Sequence, residues 1–321
     1  MTTFRTPVSS LRHRGLIRHG MPGLMLGSCF TDNIGRQLTN DLFDVTLNPF
    51  GVLYNPASIA DCLDRISSGE PFTGEELIEH EGLWHSLSHH SSFSSETRQG
   101  CLDSINASLA SAYERLREVK WSVVTLGSAW VYIRQGKIVA NCHKLPASEF
   151  SRIMLSVEDA AGCMAHIIDL LPHDAPVIFT VSPIRHAGDG HHGNQLSKST
   201  LLLAIDQVCR QFPSRALYFP SYEIMMDDLR DYRFYDADMR HPSPTAIEYI
   251  YDIFKESFFN PTTMELTAEC RKLYQRLSHR PLGGPGSRQA MLGRYAAIEI
   301  ARKMASDHPE LQRPISKLIS Q

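Results

Sequence analysis

The stretch "LMLGSCFTDNIG", Leu24 to Gly35, runs apolar up to a glycine and then becomes amphipathic. A short unbroken apolar run bounded by glycine suits a strand covered on both faces, so "GLMLG" (23–27) reads as a buried strand. "TDNIGRQLTNDL" (31–42) reads as a helix, with Thr31 or Asp32 as its cap. Ser28 and Cys29 stand at the junction.

Working outward, the same alternation recurs. "FDVTLNPFG" (43–51) is a second strand ending in a turn, and "NPASIADCLDRI" (55–66) opens a helix at Pro56 with Ile59, Cys62, Leu63 and Ile66 on one face. The His- and Ser-rich segment 70–100 reads as an insertion loop, followed by a helix over 102–119 and the strand "WSVVTLG" (121–127). "WVYIRQGKIVAN" (130–141) is a hairpin turning at Gln135-Gly136. A helix over 157–171, a strand over 176–183, a helix over 194–212 and a fifth strand over 216–225 follow. Ser243 caps a last core helix with Pro244 in its first turn, and Ile247, Ile250, Tyr251 and Phe254 share one face of it. Strand–helix alternation predicts an α/β fold, a mostly parallel five-stranded sheet with helices on both faces. The expected division is an α/β domain over 1–261 and a helical C-terminal extension over 262–321, helical on either side of "HRPLGGPGSR" (279–288).

Composition narrows the function. Of 321 residues, 42% are hydrophobic and 21% charged, as in globular proteins. The 32 basic residues against 35 acidic ones argue against nucleic acid as partner. A small molecule or a neutral polymer fits better, and the oligomeric state stays open. Seven widely spaced cysteines without a C-x-x-C pair point away from disulfides and structural zinc. With no signal-like or membrane-spanning stretch, a cytoplasmic protein with no membrane partner is expected. The histidine clusters "HEGLWHSLSHHSSFS" (80–94) and "RHAGDGHHG" (185–193) lack metal-site spacing, so neither a metal nor a cofactor is expected.

In open α/β sheets, sites form beyond the carboxyl ends of the strands. Those positions hold Ser28 and Cys29, then Gly51, then Ser128 and Trp130, then Arg185 and His186, then Asp238 and His241. Ser28, Asp238 and His241 make a candidate nucleophile, orienting carboxylate and general base. The backbone N–H groups of Ser28 and Gly51 are candidate oxyanion donors. Asn141 and His143 in "NCHKLP" join Ser128, Trp130 and His186 as candidates for lining the cleft. The simpler reading of Ser28 is a helix cap. The glycine patterns of α/β-hydrolases, dinucleotide binders and P-loops are absent.

Many ordered motifs then resemble one family: "FRTPV" (4–8), "LGSCFTDNIG" (26–35), "NPFGVLYNP" (48–56), "WHSLSHHSSFS" (84–94), "LGSAWVY" (126–132), "VANCHKLP" (139–146), "TVSPIRH" (180–186), "GNQLSKSTLLLA" (193–204), "YFPSYEIMMDDLRDYRFY" (218–235) and "HPS" (241–243). Over residues 4–258 the chain resembles the GSCFA family, which is similar to the SGNH (GDSL-like) hydrolases. The resemblance implies a flavodoxin-like three-layer α/β/α fold and esterase or acyl-hydrolase chemistry. A small acyl group, such as acetyl, would leave an O-acylated substrate, a carbohydrate for example. Ser28 takes the place of the nucleophile, Asp238 and His241 those of its partners, and Gly51 that of the glycine donor. The G-x-N block reads Gly127-Ser128-Ala129, so its asparagine donor is missing, and Asn141 or the Ser128 hydroxyl stands as replacement. Cys29 then becomes a packing residue. Two alternatives stay open: Cys29 as nucleophile of a thioesterase or acyltransferase, and a non-catalytic glycan-binding module.

Overall fold

The computed structural model describes residues 5–9, 12–186, 188–278 and 288–320; of the segment "HRPLGGPGSR" (279–288), residues 279–287 lie outside them. The chain opens with β1 (Gly23–Gly27), α1 (Cys29–Asn40), β2 (Val45–Leu47) and α2 (Pro56–Ser68). Next come β3 (Leu77–His80), β4 (Leu83–Ser86), α3 (Arg98–Leu116) and β5 (Trp121–Leu126). A small antiparallel sheet of β6 (Trp130–Arg134), β7 (Lys137–Val139) and β8 (Ser151–Met154) precedes α4 (Val157–Leu170) and β9 (Val177–Val181). α5 (Gly190–Gln211), β10 (Ala216–Tyr218), the short turn α6 (Ser221–Glu223) and α7 (Pro244–Phe258) complete the core, and α8 (Pro261–Ser278), α9 (Arg288–Asp307) and α10 (Gln312–Ile319) follow.

The five central strands pair in parallel in the order β10-β9-β5-β1-β2. The chain therefore leaves β1 toward one edge and then crosses back to build the other side. The reversal lies between β1 and β5, where α/β sheets open a crevice at their carboxyl ends. Side chains alternate between the two faces, as the strand period of two requires. Leu24, Leu26, Val124, Leu126 and Phe179 pack with the buried faces of α2, α3, α4 and α5. Met25, Trp121, Val123 and Ile178 pack with α1 and α7. The result is an α/β/α arrangement of three layers. A third cluster joins Leu42 to Cys270 of α8, Ala301 of α9 and Ile315 of α10.

Three expectations about elements need correction. Segment 70–100 holds the hairpin β3–β4, whose turn residues Glu81 and Gly82 both have positive φ (50° and 76°), as a tight hairpin demands. The fifth strand stops at Tyr218, because Pro220 ends the ladder and the chain enters α6 and then a π-helical turn over Ile224–Asp228. The hairpin at 130–141 gains β8 as a third strand, paired to β6. Among the described residues no helix is long and apolar enough to cross a membrane.

Candidate active site

The site begins at Gly27. Its φ is +136°, and a Cβ there would lie 2.1 Å from the Thr125 carbonyl oxygen of the neighbouring strand. Only glycine lets β1 run this close to β5 and still turn into α1. The Gly27 N–H donates to Asn48 Oδ1 at 2.8 Å, and Asn48 Nδ2 donates to Asp32 Oδ1 at 2.6 Å, which ties the turn to the start of α1.

Ser28 is 1% exposed, and its Oγ accepts the Phe30 N–H at 3.3 Å as the N-cap of α1. The cap is therefore Ser28 and not Thr31 or Asp32: Thr31 Oγ1 donates back to the Leu26 carbonyl and Asp32 is held by Asn48. Cys29, the first residue of α1, lines a cavity of about 530 Å³, whereas Ser28 is not among the residues that line it. Successive residues leave a strand end in different directions, and here the thiol takes the inward one.

Asp238 and His241 meet. His241 Nδ1 donates to Asp238 Oδ2 at 2.5 Å, and Asp238 Oδ1 accepts the backbone N–H groups of Arg240 and His241 at 2.9 Å each. The His241 N–H first, and then its ring, hold the Asp238 carboxyl well below the usual carboxylate range. The loop is closed by Asp236 N–H to the His241 carbonyl at 2.8 Å and by a Tyr235–Pro242 bridge. His241 Nε2 lies 3.8 Å from Cys29 Sγ. Since a carboxylate can only accept, the neutral ring carries its proton on Nδ1 and turns the Nε2 lone pair toward the thiol.

The remaining expected residues divide. Ser128, Trp130 and His186 line the cavity with Cys29, Asp238 and His241. Gly51, Asn141 and His143 do not. The Gly51 N–H closes a turn onto the Asn48 carbonyl at 2.7 Å, so that donor is already used. Asn141 Oδ1 accepts the His143 N–H. His143, 7% exposed, bonds through Nε2 to the Ser86 carbonyl at 2.7 Å and stacks on His85. It belongs to the packing beneath the β3–β4 hairpin, where burial lowers its pKa. In the same region His89 stacks on Phe50 and burial drives its pKa down to about 3. Among the described residues no cluster of His, Cys, Asp and Glu is placed to hold a metal ion.

Several residues escaped the sequence reading. Asn55 lines the cavity; its Oδ1 caps α2 through the Ser58 N–H at 2.8 Å, which leaves Nδ2 without a protein partner among the described residues. The Cys29 N–H is likewise one of the first-turn donors a helix cannot satisfy internally. Together they offer two donors in the wall of the cavity that holds the thiol. The Ser128 N–H is taken by the Tyr54 carbonyl at 2.9 Å.

Lys198, fully buried on α5, donates Nζ to the carbonyls of Gly127 (2.7 Å) and Ser182 (2.9 Å), the residues just beyond β5 and β9. Burial lowers its pKa to about 7. Burial also pushes the Cys29 thiol up, and the Lys198 charge opposes that shift. His186 Nε2 shares the Gly127 carbonyl at 2.8 Å, and burial, with the charge of Lys198, lowers its pKa. The signal for Lys198 was a lysine inside the apolar helical run "LSKSTLLLA" (196–204), a position where a charge is costly unless it serves a site.

Comparison with known proteins gives one positive finding. The model of the GSCFA family matches residues 23–254, more than two thirds of the chain. No curated protein matches the chain.

Proposed function

Since the chain belongs to the GSCFA family, we propose that the activity of this member is cysteine-dependent acyl transfer. Cys29 is the nucleophile, His241 the general base and then acid, and Asp238 the orienting carboxylate. The observation that carries this reading is the Cys29 Sγ–His241 Nε2 approach of 3.8 Å, with Asp238 behind the ring at 2.5 Å. The serine esterase implied by resemblance to SGNH hydrolases keeps its partners and moves its nucleophile by one residue, from Ser28 to Cys29.

His241 Nε2 takes the thiol proton as sulfur attacks the carbonyl carbon of an ester or thioester. The resulting imidazolium is held by Asp238. Charge developing on the carbonyl oxygen is met by the Cys29 N–H at the start of α1 and by Asn55 Nδ2. As the tetrahedral intermediate collapses, Nε2–H returns its proton to the leaving oxygen or sulfur, and the acyl group stays on Cys29. Water, deprotonated by His241, then releases the acid, or an acceptor hydroxyl or thiol takes the acyl group. A thiol pKa raised by burial suits this sequence, because the nucleophile forms only when the base removes its proton.

Incubation with p-nitrophenyl acetate and mass analysis of the peptide containing residues 28 and 29 tests the assignment. The acyl mass is expected on Cys29 and turnover is expected to vanish in Cys29→Ala, while Ser28→Ala keeps Cys29 acylated. Turnover surviving in Cys29→Ala would sink the cysteine reading.

A further inference from the structure

Two concave spaces meet at Arg185. One is the cavity that holds the Cys29 thiol; the other is a groove of about 410 Å³ along the π-helical turn, walled by Met225, Met226, Leu229, Tyr232 and Tyr235. Arg185 follows β9, is half-buried, and lines both. A guanidinium has five N–H donors in a fixed plane. The contact found for those of Arg185 is Met226 Sδ at 2.9 Å from one terminal nitrogen, and a thioether is a weak acceptor. No carboxylate among the described residues pairs with it.

The carboxylates lining the two spaces are all engaged elsewhere. Asp189 holds Arg152 through both oxygens, and that guanidinium also lies over the Trp130 ring at 4.1 Å. Asp238 holds His241, and Asp231 accepts the Arg233 N–H at 3.0 Å. The Arg240 guanidinium, lining the cavity beside His241, also has no carboxylate partner among the described residues. Lys198 is buried nearby on the carbonyls of Gly127 and Ser182. A partly dehydrated guanidinium recovers its lost hydration best from a planar or tetrahedral oxyanion, which it can bind through two parallel N–H groups.

We propose that the acyl substrate of this site carries an anionic oxygen group, carboxylate or phosphate, which Arg185 binds while the acyl carbon lies at Cys29. The proposal rests on the cysteine reading for the reaction, and on the Arg185 surroundings alone for the anion. Arg185 is then the residue that sets substrate charge, and Arg240 adds attraction at the rim. A phosphate would sit on the leaving-group side of the scissile bond and a carboxylate on the acyl side.

Three probes on one pantetheine scaffold, one neutral and two with an anionic group added at opposite ends, separate these cases: S-acetylpantetheine, S-succinylpantetheine and S-acetyl-4′-phosphopantetheine. Each is titrated calorimetrically into full-length Cys29→Ala, which cannot turn them over. Titrations are repeated with Arg185→Gln and Arg185→Lys added, and thermal melts check that every variant folds. One anionic probe is expected to bind about tenfold or more tighter than the neutral one. Arg185→Gln is expected to erase that preference and Arg185→Lys to keep part of it. Which anionic probe gains identifies carboxylate or phosphate.

Equal binding of all three, no binding of either anionic probe, or a preference that survives Arg185→Gln overturns the proposal. Should Arg185→Gln fail to fold, undiminished preference in Arg185→Lys overturns it and a partial loss supports it. Turnover of the same probes by the wild-type chain reports on Cys29 separately. A preference without acyl-Cys29 leaves the anion site standing and removes the nucleophile, and acyl-Cys29 without a preference does the reverse.

Discussion

A thiol beside an imidazole is activated only while the ring presents a lone pair to it. In the proposed mechanism that depends on Asp238, which accepts the Nδ1–H and is itself fixed by two backbone N–H groups. Asp238→Asn puts an amide there that can donate to Nδ1, which moves the ring proton to Nε2 and turns the lone pair away from Cys29. Acylation of Cys29 at neutral pH is expected to fall by roughly a hundredfold or more. Alkylation by iodoacetamide, followed against pH, should show the deficit closing at alkaline pH, where the thiolate forms without a base. A deficit that stays constant with pH would mean that Asp238 acts on loop structure instead. The neighbouring choice between Ser28 and Cys29 was not legible in the sequence. Either residue can follow a strand, and cap and nucleophile differ only in which way the side chain leaves the turn. Gly27 decides it: its left-handed φ and its contact with Thr125 aim residue 28 at the helix and residue 29 at the cleft.

At the far end of α1 from the site, a buried carboxylate ties α1 to α7 and α8. Asp41, 1% exposed, caps that end; its Oδ2 accepts the Tyr251 hydroxyl of α7 at 2.7 Å and its Oδ1 accepts Arg271 of α8. The Asp41 carbonyl also meets His19 Nε2 at 3.0 Å. Removing the carboxylate leaves a buried hydroxyl and a part-buried guanidinium unpaired, so Asp41→Ala is expected to cost about 3 kcal/mol in urea unfolding. Tyr251→Phe removes one hydrogen bond and should cost about 1 kcal/mol, and the pair should fall short of additivity. A loss under 1 kcal/mol for Asp41→Ala would show that apolar packing alone joins these helices. Periodicity revealed α2, α4 and α7 because their buried faces repeat at helical spacing. It missed the β3–β4 hairpin, whose strands are held by contacts such as Trp84 to Ser95 and His85 to Ser94 and carry little apolar alternation.

At the scale of the whole molecule, Lys198 links stability to pH. Its folded pKa, lowered by burial to about 7, lies below the value it has when solvated, so the unfolded chain binds the extra proton between those two values. Stability from this group therefore rises with pH above about 7, by roughly 1 kcal/mol per pH unit until the unfolded lysine titrates. Urea midpoints of the wild-type chain should carry this slope between pH 7 and 9, and Lys198→Met should lose it. An unchanged slope would show that Lys198 keeps its proton in the folded chain across this range. The C-terminal helices reach the core through charges as well as through Leu42. Asp44, 8% exposed, faces Arg115 at 2.8 Å, Arg313 at 3.2 Å and Lys317 at 3.5 Å.

The sequence by itself determined the α/β alternation, the parallel sheet, the family and the pairing of an aspartate and a histidine three residues apart. All of these follow from local pattern, since apolar periodicity, caps and short spacings act within one or two turns of chain. Only the tertiary structure decided that His241 faces Cys29, that Gly51 and Asn141 spend their polar groups on turns, and that Lys198 is buried against the carbonyls just beyond β5 and β9. Those outcomes depend on residues far apart in sequence and on the direction a side chain takes at one strand end, a torsion that no spacing rule encodes.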